Sequence, residues 1–369
     1  MASCSKDSND CRVPQNPHVT VYDDPDDPEA CLWGCDEGWA TCGGSPCSID
    51  LLHDPRNCGQ CGNSCPIDAC WGYAPWGGVC PPKTIAAGLG VVNGLAVHVA
   101  SATPYWTRIQ GGRVDVMTMA DGGVRSIASA PAGGDLPPTL VASDDSIYFT
   151  DGIADGGSIY VVKVDGGTPA LFAGSQSGVA ELAIDGVPGG SLLYWSNNAG
   201  GQVMAAPLAG GAPVPLVSGR DHPRWLAAGA SHLYWIDEGN GGSVNELWDG
   251  GVRTISSGLH PQSLAVWVTS SGDFFSGFWT SAAGTLFDGD FPIDEGFAAN
   301  VWQLVVDGRI TAFGTIPSAG QIHFYNANNA RHPHGTLPVG GSPTSLALGG
   351  GVWFLDTSGD GSLRHFWTP

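Results

Sequence analysis

Beyond residue 82 the chain alternates short apolar runs with glycine-marked turns, and one phrase returns seven times. Each copy opens on a leucine-led run, as in Gly94-Leu95-Ala96-Val97, Glu181-Leu182-Ala183-Ile184 and Ser263-Leu264-Ala265-Val266. Apolar runs this short, bounded by turn residues, predict buried strands rather than helices. A pair of large side chains follows: Tyr105-Trp106, Tyr148-Phe149, Tyr194-Trp195, Tyr234-Trp235, Phe278-Trp279 and Trp353-Phe354, with Ala312-Phe313 as the degraded copy. Neighbours in a strand face opposite sides of their sheet, so each pair can pack against something on both faces. Glycines such as Gly111-Gly112, Gly200-Gly201 and Gly241-Gly242 then mark a reversal into a third strand. A second turn, as in Asp121-Gly122-Gly123 or Asp249-Gly250-Gly251, leads into a fourth.

The leading leucines (Leu95, Leu140, Leu182, Leu226, Leu264, Leu304 and Leu346) are spaced 38 to 45 residues apart. A strand-rich repeat of that length predicts an all-β β-propeller with one four-stranded blade per copy. Seven blades are expected, with six as the alternative, because the stretch from Leu264 to Leu346 reads either as two blades or as one with a long insertion. The last copy has only three strands before the chain ends at Pro369. Lys83-Thr84-Ile85-Ala86-Ala87-Gly88-Leu89 matches the fourth strand of the fourth copy, Arg253-Thr254-Ile255-Ser256-Ser257-Gly258-Leu259. The segment 83–89 is therefore expected to complete the last blade, leaving no sheet edge open.

Residues 1–82 follow another regime. All 11 cysteines fall between Cys4 and Cys80, among prolines and an acidic run at 23–29, with few apolar stretches. Such a segment cannot bury much of a core and predicts a small disulfide-stapled module, which points outside the reducing cytoplasm. Zinc at Cys58-Gly59-Gln60-Cys61 is the weaker reading, since no second knuckle is paired with it. An odd cysteine remains. Ala2-Ser3-Cys4 resembles the end of a bacterial lipobox, which implies lipid attachment at Cys4. The expected location is thus extracellular or at the cell surface.

The formal net charge is -21, with 14 basic residues against 35 acidic ones. That balance argues against nucleic acid, which needs clustered Lys and Arg. No apolar run is long enough to span a bilayer. A monomer is expected.

The tetrads Tyr105-Trp106-Thr107-Arg108, Tyr148-Phe149-Thr150-Asp151, Tyr194-Trp195-Ser196-Asn197 and Tyr234-Trp235-Ile236-Asp237 resemble the YWTD repeat of low-density-lipoprotein-receptor-type propellers and related bacterial surface propellers. Residues 45–61 resemble the cysteine-rich leaders of secreted or lipid-anchored bacterial proteins. These likenesses imply an extracellular interaction protein and carry over no catalytic residue.

The loops leading into each first strand share a face with those between the second and third strands, and ring the channel. Glu181, Arg224, Trp225, Gln262, Trp302 and Gln303 are the expected ligand-binding residues, because aromatic faces beside amides and charges suit a peptide, glycan or protein partner. The alternative is a metal-assisted lyase or lactonase, with Glu181, His222 and His260 as catalytic groups, as in seven-bladed lyases that the chain resembles in architecture. Calcium or another divalent cation is the alternative cofactor, held by His222 and His260 or by the Asp-rich turn containing Asp356 and Asp360. The pair His332 and His334 reads as loop histidines of the sixth blade. No nucleophile elbow, phosphate loop or dinucleotide fingerprint is present.

Overall fold

A computed structural model describes residues 2–5, 17–23, 30–36, 39–41, 47–50, 54, 56–57, 71–73, 77–79, 81–98, 100–134, 136–185, 192–229, 232–268, 274–307, 311–326 and 334–366. Two compact units are formed, one of 1–83 with 366–369 and one of 84–365. The larger is a seven-bladed propeller of four-stranded antiparallel sheets. Labelling strands A to D within a blade, blade one comprises Val91–His98, Thr103–Gln110, Arg113–Ala120 and Gly123–Pro131, and blade four comprises Pro223–Gly229, His232–Asp237, Ser243–Trp248 and Gly251–Ser257. The stretch that could have held one blade or two holds two. Blade five is Pro261–Val268, Phe274–Ser281, Leu286–Asp288 and Phe291–Asp294, and blade six is Leu304–Asp307, Thr311–Ile316, Gln321–Asn326 and His334–Pro338. His334 therefore opens an outer strand, while His332 lies outside the described residues.

Blade seven takes Pro343–Leu348, Val352–Asp356 and Ser362–Phe366 from the end of the chain, and its strand D, Lys83–Ala87, from before blade one. The link is tightened by Gly90 N donating to Asp360 O at 2.7 Å. Hydrogen bonds thus close the ring.

The sheets stand radially, so the two faces of each strand pack against the preceding and following blades. Tyr105 joins Phe149 in the cluster between blades one and two, while Trp106 packs with Leu355 and Leu363 of blade seven. In six blades the leading leucine pairs with, or sits at a bulge opposite, the second aromatic of strand B. Those aromatics, Trp106, Phe149, Trp195, Trp235, Trp279 and Phe354, are all fully buried. Blade six departs from the expectation. Leu304 pairs with Gly314 and Val305 with Phe313, so the degraded pair is Phe313-Gly314 and not Ala312-Phe313. The empty position is filled from elsewhere: a Cβ on Gly314 would meet Phe297 and Val301, both buried, at 3.0 Å.

The turn glycines have specific work at some positions. Gly201 and Gly361 adopt positive φ, and a Cβ on either would come within 2.5 Å of the carbonyl oxygen of Arg220 or Gly90.

In the smaller unit, Ala2–Ser5, Ala30–Cys35 and Val19–Asp23 form a three-stranded sheet with Ala30–Cys35 central, and two short hairpin pairs follow. Cys35 and Cys47 are joined by a disulfide, and Cys4 stands opposite Cys31 in register. The Cys58 to Cys61 knuckle lies outside the described residues. Among the described residues there is no α-helix, and no helix long and apolar enough to cross a membrane.

Candidate functional site

The inner strands surround a channel of about 970 Å³. Its shaft is apolar, lined by residues such as Ala96, Ala183, Ala227 and Val266, and polarity is concentrated where strand A begins: Asn93, Glu181, Arg224, Thr344 and Ser345. Asn198 and Thr357, from loops between strands B and C, line the same channel. The two sets of loops therefore share one face, as the topology predicts.

A device repeated at this mouth is the β-bulge. Strand A of blades one, three, four, five and seven carries one residue more than its partner at its start, at Gly94, Ala180, Trp225-Leu226, Gln262 and Thr344. A bulge leaves a residue outside the ladder and re-aims its side chain. Trp225 shows the consequence. With φ at +53°, an unusual conformation for a bulky residue, it turns into the channel and meets Trp302 of blade six edge to face, with ring centroids 6.2 Å apart and planes at 89°. Blade four and the segment leading into blade six contribute these indoles. Trp302 remains 49% exposed.

Arg224 lies beside this pair, its guanidinium 5.4 Å from the Trp225 ring centroid and its Nη1 donating to Glu238 Oε1 at 3.0 Å. Its Nε is buried without a hydrogen-bond partner, as are Asn198 Nδ2 and Thr344 Oγ1. All three residues line the channel. Glu181, on the neighbouring strand A, is enclosed by protein although the channel wets part of it. That loss of hydration pushes its carboxyl up to about 7, against the opposing pull of Arg224.

A stability test follows. In the unfolded chain Glu181 ionises near the ordinary carboxylate value, about 4.3. In the folded chain it keeps its proton to about 7, so it erodes stability as pH rises through that window. Glu181→Gln should therefore raise the denaturation midpoint at pH 8 and leave it nearly unchanged at pH 4. An equal effect at both pH values would contradict the burial argument.

The expected residues separate into those at the mouth and those that are not. Glu181, Arg224, Trp225, Trp302 and Gln303 line the channel. The Gln303 amide, however, is used internally: Oε1 accepts from Leu346 N at 2.7 Å and Nε2 donates to Leu346 O at 3.3 Å, tying blade six to blade seven. Gln262 is not on the lining and reaches its own loop, 3.5 Å from His260 O. His222 and His260 do occupy equivalent places before strand A, but both lie in positive-φ turns with exposed side chains, and His222 Nδ1 rests 2.7 Å from Asp221 Oδ1. Among the described residues no three His, Cys, Asp or Glu side chains come together as a metal site, so Glu181, His222 and His260 do not meet.

Of the two aspartates expected to hold calcium, Asp356 and Asp360, the first is already engaged within its turn. Asp356 Oδ1 already accepts from Ser342 N, Ser358 N and Ser358 Oγ at 2.8, 2.9 and 2.7 Å, and Oδ2 faces Arg364 at 3.6 Å. Burial works against its charge, yet these donors hold the carboxyl below the usual range. Its lone pairs organise a turn. Sequence reading missed Asn198, which reaches the mouth from a loop with no motif of its own.

The propeller is similar to virginiamycin B lyase from Staphylococcus aureus, with 13% identity over 78% of this chain and 98% of that one, at a TM-score of 0.58. It is equally similar to the WD40 β-propeller domain of Doa1, with 13% identity over 78% and 97% and a TM-score of 0.59. At such identity the likeness is of fold alone, and this fold hosts enzymes and binding domains alike. No protein-family model matches the chain, and no curated protein matches it in sequence.

Proposed function

We propose that this protein is an extracellular or surface-tethered recognition propeller that takes a peptide, glycan or protein partner at the channel mouth. The observation that carries the reading is the perpendicular pair Trp225 and Trp302, set beside Arg224 and Glu181 at the rim of a preformed cavity. Aromatic anchors with a few fixed polar groups are the usual anatomy of a recognition pocket. The location is supported by the Cys35–Cys47 disulfide, a bond kept in oxidising compartments. The YWTD-like tetrads of strand B, the lipobox-like Cys4 and the cysteine-rich leader are consistent with a secreted or lipid-anchored interaction protein.

A combined glycan and peptide array probed with the whole chain, Trp225→Ala and Trp302→Ala tests this. Each substitution should weaken binding by about tenfold or more, the loss typical of an aromatic anchor. Hits retained at full strength by both variants would remove the channel mouth from consideration.

One observation favours a second reading, a lyase or lactonase: a carboxyl held near 7, as on Glu181, is poised for proton transfer. In that reading Glu181 acts without His222 and His260. Turnover of a lactone that Glu181→Gln abolishes would give it precedence.

A further inference from the structure

The chemistry of the mouth narrows the choice of ligand, given that the channel mouth is the recognition site. Charge comes first. Glu181 and Arg224 are the only ionisable acid and base among the described lining residues, and they belong to neighbouring strands with opposing charges. An anionic ligand would approach Arg224 only alongside Glu181, with Glu238 already bound to the guanidinium and a net charge of -21 behind it. A cation would compete with Arg224 for the Trp225 face, where the guanidinium sits 5.4 Å from the ring centroid. The mouth is therefore suited to an uncharged ligand.

Hydrogen-bonding capacity comes second. Asn198 Nδ2 and Arg224 Nε are buried donors without partners, and Thr344 Oγ1 is a buried hydroxyl without one. Burying such groups unpaired is unfavourable, and a ligand that completes them recovers the loss. Glu181 adds an acceptor, or a donor once protonated. Groups of mixed character arranged around one cavity call for a partner that donates and accepts at the same atom, which is the property of a hydroxyl. Third, Trp302 offers a half-exposed indole, fixed edge to face against Trp225. A flat, rigid indole matches the C–H face of a pyranose ring, whose hydroxyls project outward from its rim.

We infer that the channel mouth binds the end of a neutral saccharide chain, stacked on Trp302 with its hydroxyls directed to Asn198, Arg224, Thr344 and Glu181. The apolar shaft below bars further hydroxyl-rich rings from passing inward, so one terminal unit is held at the rim.

The test uses the full-length chain against soluble malto-, cello-, xylo- and chito-hexaose, alongside uronate-bearing and sulfated glycans and a library of end-capped peptides. Indole fluorescence and calorimetry report binding. At least one neutral hexaose should bind, with Trp302→Ala and Asn198→Ala each raising its Kd by about tenfold. Phe291→Ala, an exposed residue on the outermost strand of blade five, should leave it unchanged. Unfolding midpoints of all three variants separate loss of contact from loss of fold, and Trp302→Phe should restore part of the affinity if a ring is what the ligand needs. Binding of anionic glycans alone, or of peptides alone, in a Trp302-dependent manner would overturn the saccharide assignment while leaving the channel mouth as the recognition site. If no binding depends on Trp302, both fall.

Discussion

Truncating Phe297 to alanine will destabilise the propeller by about 3–5 kcal/mol, the loss expected for a fully buried aromatic. Phe297 lies in the loop after blade five and is 1% exposed. It does for blade six what an aromatic of strand B does for the other six blades. Leu304 faces Gly314 where its counterparts face Trp or Phe, and the Phe297 ring packs into the space that the missing side chain leaves. Its backbone carbonyl is held in turn by His323, whose Nδ1 lies 2.6 Å away. If one cavity is shared by two positions in this way, the substitutions must compensate. Gly314→Phe alone should cost about 1–3 kcal/mol through overpacking, because a Cβ there would already stand 3.0 Å from Phe297 and Val301. Combined with Phe297→Ala it should recover part of the stability, giving a coupling energy well beyond the few tenths expected of independent sites. Denaturant titrations of the four proteins measure this, and strict additivity would refute the shared slot. A second consequence reaches the site: Trp302 follows five residues after Phe297, so Phe297→Ala should also weaken any ligand that depends on Trp302.

Blade six shows what was legible in the sequence and what was not. Spacing of leucines and aromatic pairs gave the ring, its seven blades and its closure through Lys83–Ala87, because each blade solves the same packing problem and records it at the same interval. The Ala312-Phe313 misalignment arose because the missing aromatic is supplied by a distant residue, which no local pattern records. The bulges were invisible for a related reason. They exist only relative to a partner strand, yet they decide that Trp225 turns into the channel while Gln262 does not line it. His222 and His260 hold equivalent places just before strand A of their blades, but neither is on the channel lining. A residue before proline ordinarily takes an extended backbone, and both adopt positive φ instead. Position along a repeat gives altitude in a blade, while side-chain direction depends on register and backbone handedness.

Glu246→Ala will destabilise the propeller by about 1.5–3 kcal/mol, the range for hydrogen bonds to a charged group, because it removes the carboxylate on which Tyr234, His232 and Arg253 converge. Glu246 lies on strand C of blade four at 1% exposure, directly between Tyr234 of strand B and Arg253 of strand D in register. Its Oε1 accepts from Tyr234 Oη at 2.5 Å and lies 2.7 Å from His232 Nδ1, while Oε2 accepts from Arg253 Nε at 2.5 Å. Burial alone would favour the neutral acid, but these donors outweigh it and hold the carboxyl below its usual range. The direction fixes the pH dependence. A carboxyl whose folded value lies below its unfolded one, about 4.3, contributes stability that is present above that value and is lost as pH falls through the folded value. Glu246→Gln keeps the shape without the charge, so it should be less stable than the parent by about 1–3 kcal/mol at pH 7. That gap should narrow steadily as the pH is taken below about 4. Urea midpoints at pH 7, 5 and 3 would check both statements. A gap that stays constant across that range would mean that the carboxylate charge contributes nothing, and that Glu246 acts by shape and neutral hydrogen bonding alone.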